Sequence, residues 1–365
     1  LEAAGRYFGQ RNAVLSGIEM VRKDLVYDWD VTAGGDDFRR ITLEESPMKS
    51  GNGNSQGKSL AGILDELLPD AVAIPGWNAA FARAGLRWCM RTGRRPVLMS
   101  DSAGSDFPRK WWKEWLKKRI VRRFRTALVG GSPQKEYAVR LGIPPEKVFT
   151  GYSSVDNSFF EKRCAAIRSG AEKPLCRADL PGRYFLAVAR FIPEKNLERM
   201  LQAYRLYSES AGKGGAWGLV VCGDGRLGPQ LKRVCRNLGL KNVIWPGFVE
   251  GNELADYYAL ASAFILPSIK DTWGLAVNEA MASGLPVIVS SRCGCAVDLV
   301  VEERNGLTIN PYDEKDIARA MGRMQALPET GLTGMRMESQ NIISDWGPER
   351  FAEGLWNAIE AGRAG

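Results

Sequence analysis

Short apolar, β-branched runs recur along the chain, each followed by a stretch long enough for one helix. They predict strands at Ala13–Ile18, Ala71–Ile74, Pro96–Met99, Ala127–Val129, Phe185–Val188, Leu219–Cys222, Asn242–Ile244, Ala263–Leu266 and Pro286–Val289. Strand–helix alternation at this spacing argues for an α/β chain built on parallel sheets with right-handed crossovers. Two segments interrupt the rhythm. Glu45–Ser59 is rich in Gly, Ser and Asn and is expected to be a mobile loop. Arg163–Pro181 is polar and weakly periodic, and precedes a fresh strand. From Gly347-Pro348 onward a last helix is expected, with Pro in its first turn.

At 365 residues with 45% hydrophobic content, the chain is long enough for two domains, each with its own core. The junction is placed near Gly151–Phe160. That gives an N-terminal domain over 1–155, joined by a returning helix over 346–365, and a C-terminal domain over 156–345. Leu1 opens what reads as the first helix, so the first strand of the N-terminal domain is expected to be missing, and Leu1–Gly5 does not read as a signal peptide. No apolar run approaches the roughly 20 residues of a membrane-spanning helix.

Composition removes several kinds of chemistry. There is no histidine, which excludes Ser-His-Asp and Cys-His catalysis and any His-ligated metal. The seven cysteines include no Cys-x-x-Cys pair, so structural zinc is not expected and reduced thiols of a cytoplasmic protein are. Asp36-Asp37 is a short acidic pair with no anchoring motif and reads as surface; no metal is implied.

Three strand-to-helix turns carry candidate chemistry. After the 185–188 strand come Arg190 and Lys195, two cations at the carboxyl edge of a strand and beside a helix start, which suits a diphosphate. Solvated surface cations are the plain alternative. After the 219–222 strand, Gly223-Asp224-Gly225 allows a tight turn and close backbone approach, but it is not a full dinucleotide fingerprint and a plain turn would read the same. After the 263–266 strand, Pro267-Ser268 leads through Asp271-Thr272-Trp273-Gly274-Leu275 into a helix. Its first-turn N–H groups are free for phosphate, and Glu279 lies about one and a half turns in. Taken singly, Asp271 and Glu279 would be a helix-dipole partner and a surface charge.

In this order the motifs over about 183–311 resemble the retaining family-4 glycosyltransferases (glycosyl transferases group 1). The matching features are Arg190 and Lys195, Gly223-Asp224-Gly225, Gly247-Phe248-Val249, Pro267-Ser268, the Asp271…Glu279 spacing and Asn305-Gly306-Leu307. Gly151-Tyr152-Ser153-Ser154-Val155-Asp156 is similar to the family's interdomain crossover. The resemblance implies a GT-B fold, two Rossmann-like domains facing each other across a cleft, with the N-terminal one binding acceptor and the C-terminal one binding nucleotide sugar. It implies that Arg190 and Lys195 bind the donor diphosphate, and that backbone at Phe248 and Val249 meets the base. Gly223 and Gly225 would line the nucleotide. Gly274 and Leu275 would offer N–H groups to phosphate, and Glu279 would hold the ribose. Asp271, Thr272 and Trp273 would face the transferred sugar.

The sequence departs from the family at Asp271, where Glu is usual, at Trp273, where Phe is, and at Cys293-Gly294-Cys295, where Gly-Gly is. The family's acceptor-side histidine is absent; Asp101, after the 96–99 strand, is the candidate to replace its contact with the donor sugar. The expected reaction is metal-independent, cofactor-free, front-face transfer from a nucleotide-diphosphate sugar, UDP ahead of GDP, to a glycan or lipid-linked acceptor. A GT-B sugar-nucleotide epimerase and a non-catalytic basic protein binding membrane or RNA are the alternatives.

The net charge of +8 is local. Residues 109–125 hold nine basic side chains against Glu114 alone. Trp112, Leu116, Ile120 and Phe124 recur at every fourth position and predict one apolar stripe. Two readings are open: a helix whose stripe packs on the sheet, or an interfacial helix that places the protein on the anionic inner face of a membrane. Nucleic acid is not expected as a partner.

Overall fold

The computed structural model describes residues 1–21, 38–44, 53–106, 110–177, 179–211 and 215–363. The chain forms two compact units, 1–153 with 348–365, and 154–347. Asp36-Asp37 and Arg109 lie outside the described residues.

The first unit begins with α1 (Glu2–Gly9), β1 (Ser16–Val21), β2 (Arg39–Glu44), α2 (Gly53–Leu67), β3 (Ala71–Pro75), α3 (Ala80–Thr92) and β4 (Arg95–Ser100). It continues through α4 (Trp111–Val121), β5 (Thr126–Val129), α5 (Ser132–Leu141) and β6 (Val148–Thr150). β1 and β2 pair in parallel, and β3-β4-β5-β6 form a four-stranded parallel sheet. Of the loop expected over Glu45–Ser59, residues 45–52 lie outside the described residues and the remainder is corrected: from Gly53 the chain is helical, because the apolar positions beginning at Leu60, with Leu64 one turn on, carry the helix against α3 and pull its glycine-rich start along.

The second unit holds α6 (Asn157–Arg168), β7 (Tyr184–Val188), α7 (Leu197–Ser210), β8 (Gly218–Cys222), α8 (Gly228–Asn237), β9 (Val243–Gly247), α9 (Gly251–Leu260) and β10 (Ala263–Leu266). There follow α10 (Leu275–Ala282), β11 (Val287–Ser290), α11 (Ala296–Leu299), β12 (Gly306–Ile309), α12 (Glu314–Ala326) and α13 (Glu329–Ser344). Its six parallel strands run in the order β12-β11-β10-β7-β8-β9. Alternate residues of β7 enter different cores. Tyr184 and Leu186 join one apolar cluster, Phe185 and Ala187 the other, so the sheet is buried on both faces and its strands read as unbroken apolar runs. Asp156 caps α6 by accepting from the Phe159 N–H at 3.0 Å. The break expected from Arg163 is corrected in turn: α6 continues to Arg168, held by Phe160, Cys164 and Ile167 on its buried face. The short strands β2, β6 and β12 were not read from the sequence.

The last helix, α14 (Pro348–Ala361), belongs to the first unit. The Thr126 hydroxyl donates to the Ala358 carbonyl at 2.7 Å, Arg350 donates to Thr150 Oγ1 at 3.0 Å, and Phe8 packs edge-on to Trp356. Among the described residues, no helix is long and apolar enough to cross a membrane.

Within the second unit, α6 is fastened to α9 by a buried ion pair. Asp256, fully buried, accepts from Arg163 Nε at 2.7 Å and Nη2 at 2.9 Å, and from the Leu175 N–H at 2.7 Å. Removing the carboxylate leaves the Arg163 guanidinium with Glu172 alone and strands the Leu175 N–H. Asp256→Ala is therefore expected to cost about 3–5 kcal/mol, seen as a lower denaturant midpoint at unchanged slope; a midpoint equal to that of the parent would refute the role.

Candidate active site

In the strand order of the second unit, β8 and β9 lie on one side of β7, and β10, β11 and β12 on the other. The chain therefore reverses direction across the sheet between β7 and β10, and the loops at their carboxyl ends diverge around a crevice where ligands bind in open α/β sheets. Arg190 and Lys195 leave β7 on one side of this point; Asp271, Gly274 and Glu279 follow β10 on the other.

The two loops are tied together. Asn196, in the left-handed region at φ 58° and buried, donates from Nδ2 to the Pro267 carbonyl at 3.1 Å and the Pro311 carbonyl at 2.7 Å. The Glu194 carbonyl accepts from the Ile269 N–H at 2.9 Å. The Lys195 ammonium forms an ion pair with the Asp271 carboxylate, both side chains being largely buried. Ser268 Oγ lies 3.4 Å from the same carboxylate oxygen. Lys195 and Asp271, 76 positions apart, are thus direct neighbours. Arg190, in the same loop, is exposed.

Gly223 and Gly225 serve the β7 loop directly. A Cβ on Gly223, at φ 129°, would stand 2.0 Å from the Ala189 carbonyl oxygen, and one on Gly225 would stand 2.8 Å from that of Phe191. The Phe191 N–H donates to the Asp224 carbonyl at 2.8 Å. The missing side chains are what let this turn close against the backbone on either side of Arg190. At the end of β9, Gly247 has φ 94° and the Phe248 ring is exposed, with Val249 half-buried beside it.

Gly274, at φ 101°, precedes α10, whose N-terminus has no side-chain cap. A Cβ there would meet Cys293 Sγ at 2.5 Å, so the two departures at Cys293 and Cys295 lie directly behind this turn. The Gly294 N–H donates to the Asp271 carbonyl and the Cys295 N–H to the Trp273 carbonyl, each at 3.0 Å. Leu275 is exposed and Thr272 half-buried. Trp273 requires a correction. Its ring does not face a sugar: it is 2% exposed, stacks near Trp346 at 5.2 Å, and its N–H is spent on Asn278 Oδ1 at 2.8 Å. A ring larger than Phe, with an N–H needing a partner, has been absorbed by the core.

Glu279 points inward from α10 and accepts from the Tyr258 hydroxyl at 2.8 Å. Burial raises its carboxyl to about 7, the Tyr258 hydrogen bond acting in the opposite sense. Tyr258, Asn196 and Asn278 were not singled out in the sequence; only an Asn in a turn before a helix gives any signal. Asp101 belongs to the first unit, at the carboxyl end of β4. Burial, and second the Asp101 carboxylate, push the neighbouring Tyr152 phenol up. Among the described residues, no group of three or more His, Cys, Asp or Glu is placed to hold a metal ion, and the seven cysteines are free and buried.

Residues 177–331 match the family Glycosyl transferases group 1. An uncharacterized glycosyltransferase of Methanocaldococcus jannaschii is 29% identical over 303 residues, 78% of this chain and 69% of that protein. The O-antigen chain mannosyltransferase RfbU of Salmonella typhimurium is 31% identical over 238 residues, 64% of this chain and 60% of its own. Among solved structures, the sucrose-phosphate synthase of Thermosynechococcus elongatus aligns with TM-score 0.73 at 19% identity, over 98% of this chain and 91% of that one. Anabaena HepE, in complex with UDP and glucose, aligns with TM-score 0.67 at 15% identity, over 97% and 92%. With two units built on parallel sheets, these matches show a glycosyltransferase of GT-B fold in which residues 177–331 are similar to the group 1 family.

Proposed function

We propose that the protein transfers a sugar, with retention of anomeric configuration, from a nucleotide-diphosphate donor to a glycan or lipid-linked acceptor, and that the second unit binds the donor. The observation that carries this reading is the convergence, at the β7/β10 switch point, of Lys195, Asp271, the uncapped α10 N-terminus and Glu279. Cations and free N–H groups at one strand edge fit a diphosphate. A carboxylate within the helix behind them fits vicinal ribose hydroxyls. UDP is the proposed nucleotide, supported by its presence in the HepE complex.

In this reading Arg190 and Lys195 neutralise the leaving diphosphate as the bond from C1 to the phosphate oxygen breaks. The N–H groups of Gly274 and Leu275 bind phosphate oxygens, and backbone at Phe248 and Val249 borders the base. Asp271 and Thr272 approach the sugar. The acceptor oxygen attacks the same face of C1 and its proton passes to the leaving phosphate. Catalysis then rests on electrostatic stabilisation and positioning, with no side-chain nucleophile. No metal is assigned a part.

Arg190→Ala and Lys195→Ala are each expected to lower kcat by about 10²–10³-fold at unchanged melting temperature; near-parental turnover in both would remove the diphosphate site. In a thermal-shift series of UDP, GDP and ADP, UDP is expected to raise the melting temperature most, equally with and without EDTA. A shift lost in EDTA would overturn the metal-free donor site, and a larger shift with GDP the choice of base.

Glu279 adds a proton-linked test. Its folded-state value of about 7 lies above the ordinary 4.5, so between these values the folded chain holds more protons than the unfolded one. Stability from this group is fully present below 4.5 and is lost as pH rises through about 7. Ribose hydroxyls donating to the carboxylate favour its ionised form, so nucleotide binding at pH 7 is expected to release a fraction of a proton. Calorimetry in two buffers of different ionisation enthalpy measures it. The release should vanish in Glu279→Gln, and no release by the parent would take Glu279 out of the ribose site.

A further inference from the structure

Of the stripe formed by Trp112, Leu116, Ile120 and Phe124, Phe124 is buried and Ile120 packs against the core of the first unit, while Trp112 and Leu116 face solvent. The inward face of α4 also carries Glu114, Lys117 and Val121. The Tyr137 hydroxyl, on a ring 2% exposed, donates to Glu114 Oε2 at 3.0 Å, and Lys117 Nζ donates to Glu114 Oε1 at 2.9 Å. This cluster fixes the rotation of the helix about its axis. At 100° per residue the opposite face carries Trp112, Trp115, Leu116 and Arg119, with Trp111 at its flank. Trp111, Trp112, Trp115 and Leu116 are 82%, 46%, 53% and 47% exposed. Three tryptophans and a leucine on one solvent-facing helix surface make an unpartnered apolar patch.

Cations surround it. Lys110, Lys113, Arg119, Arg122, Arg123 and Arg125 are exposed. The Arg119 guanidinium stands 4.6 Å over the Trp115 ring and the Lys113 ammonium 5.4 Å from that of Trp112. Beside the patch, Trp111, Trp115, Lys118 and Arg140 line an open recess of about 450 Å³. We infer that this face of α4 docks on an anionic lipid bilayer, with the tryptophan rings and Leu116 at the headgroup–acyl boundary and the cations on lipid phosphates. Charge complementarity selects the occupant. Tryptophan rings favour that boundary, and a basic flank is drawn to an anionic leaflet. The patch is a convex helix surface, the shape of an in-plane interfacial helix. Single-stranded nucleic acid is instead held in a groove that follows its backbone. The inference stands apart from the donor site, and its test needs no sugar transfer.

The full chain is floated with phosphatidylcholine vesicles with and without phosphatidylglycerol. It is expected to float with the anionic vesicles at low salt, to be released as salt rises, and to ignore the neutral ones. Trp111→Ala with Trp115→Ala, both solvent-facing, should lower the bound fraction roughly tenfold at unchanged melting temperature. Charge reversal at Lys113 and Arg119 should abolish binding. Vesicles containing brominated lipid should quench the parent's fluorescence and not that of the double tryptophan variant. No flotation with anionic vesicles at low salt would overturn the proposal, as would flotation unchanged in the tryptophan variant. So would tight binding of single-stranded RNA that depends on the same tryptophans while vesicles are ignored.

Discussion

The second unit's site depends on one buried side-chain amide. A doubly wound sheet brings the ends of β7 and β10 side by side but leaves their loops to diverge, and diverging loops define no fixed distance between a cation on one and a carboxylate on the other. Asn196 supplies that distance. Its Nδ2 bridges the carbonyls of Pro267 and Pro311, from the loops after β10 and β12, while its own backbone turns the β7 loop into α7. Both acceptors are carbonyls of prolines, whose rings restrict the backbone on either side. Asn tolerates the left-handed conformation and brings two donors, so one residue meets both the backbone and the hydrogen-bonding demand. With the loops held, Lys195 and Asp271 meet.

Glycine does the complementary work from the other side. Gly223 and Gly225 let the β8 turn lie against the backbone of Ala189 and Phe191, and Gly274 lets α10 begin against Cys293. A motif that reads as a phosphate cradle is, in the folded chain, first a device for packing one loop on the next. The two readings are compatible. A loop that must present Arg190 needs a rigid floor, and backbone-on-backbone contact is the stiffest floor available.

Much of this was legible because the strands of the second unit are buried on both faces, and such strands announce themselves as continuous apolar runs. The turns after them carry glycine and proline, whose conformational demands are local. What was not legible depended on tertiary partners. The start of α2 is glycine-rich and helical only because Leu60 and Leu64 have a surface to cover. Trp273 looked like a sugar platform by position, but its ring found Trp346 and its N–H found Asn278. In α4 the apolar repeat gave the helix but left its face open, since the inward side is also occupied by Glu114 and Lys117, which have a buried phenol as their partner. Periodicity counts hydrophobic positions; it cannot see that a carboxylate, an ammonium and a hydroxyl satisfy one another and so can occupy the inner face together.

The same limit hides the pairing inside the site. Lys195 is already engaged by Asp271, and burial favours the proton on Glu279, where Tyr258 donates to it. Lys195, Asp271 and Glu279 are thus each held by another protein group, which keeps their buried charge compensated. In the proposed function, a donor diphosphate exchanges with Asp271 for the ammonium and leaves the carboxylate beside the sugar. The Lys195–Asp271 ion pair is, in that reading, the contact that the donor phosphates displace.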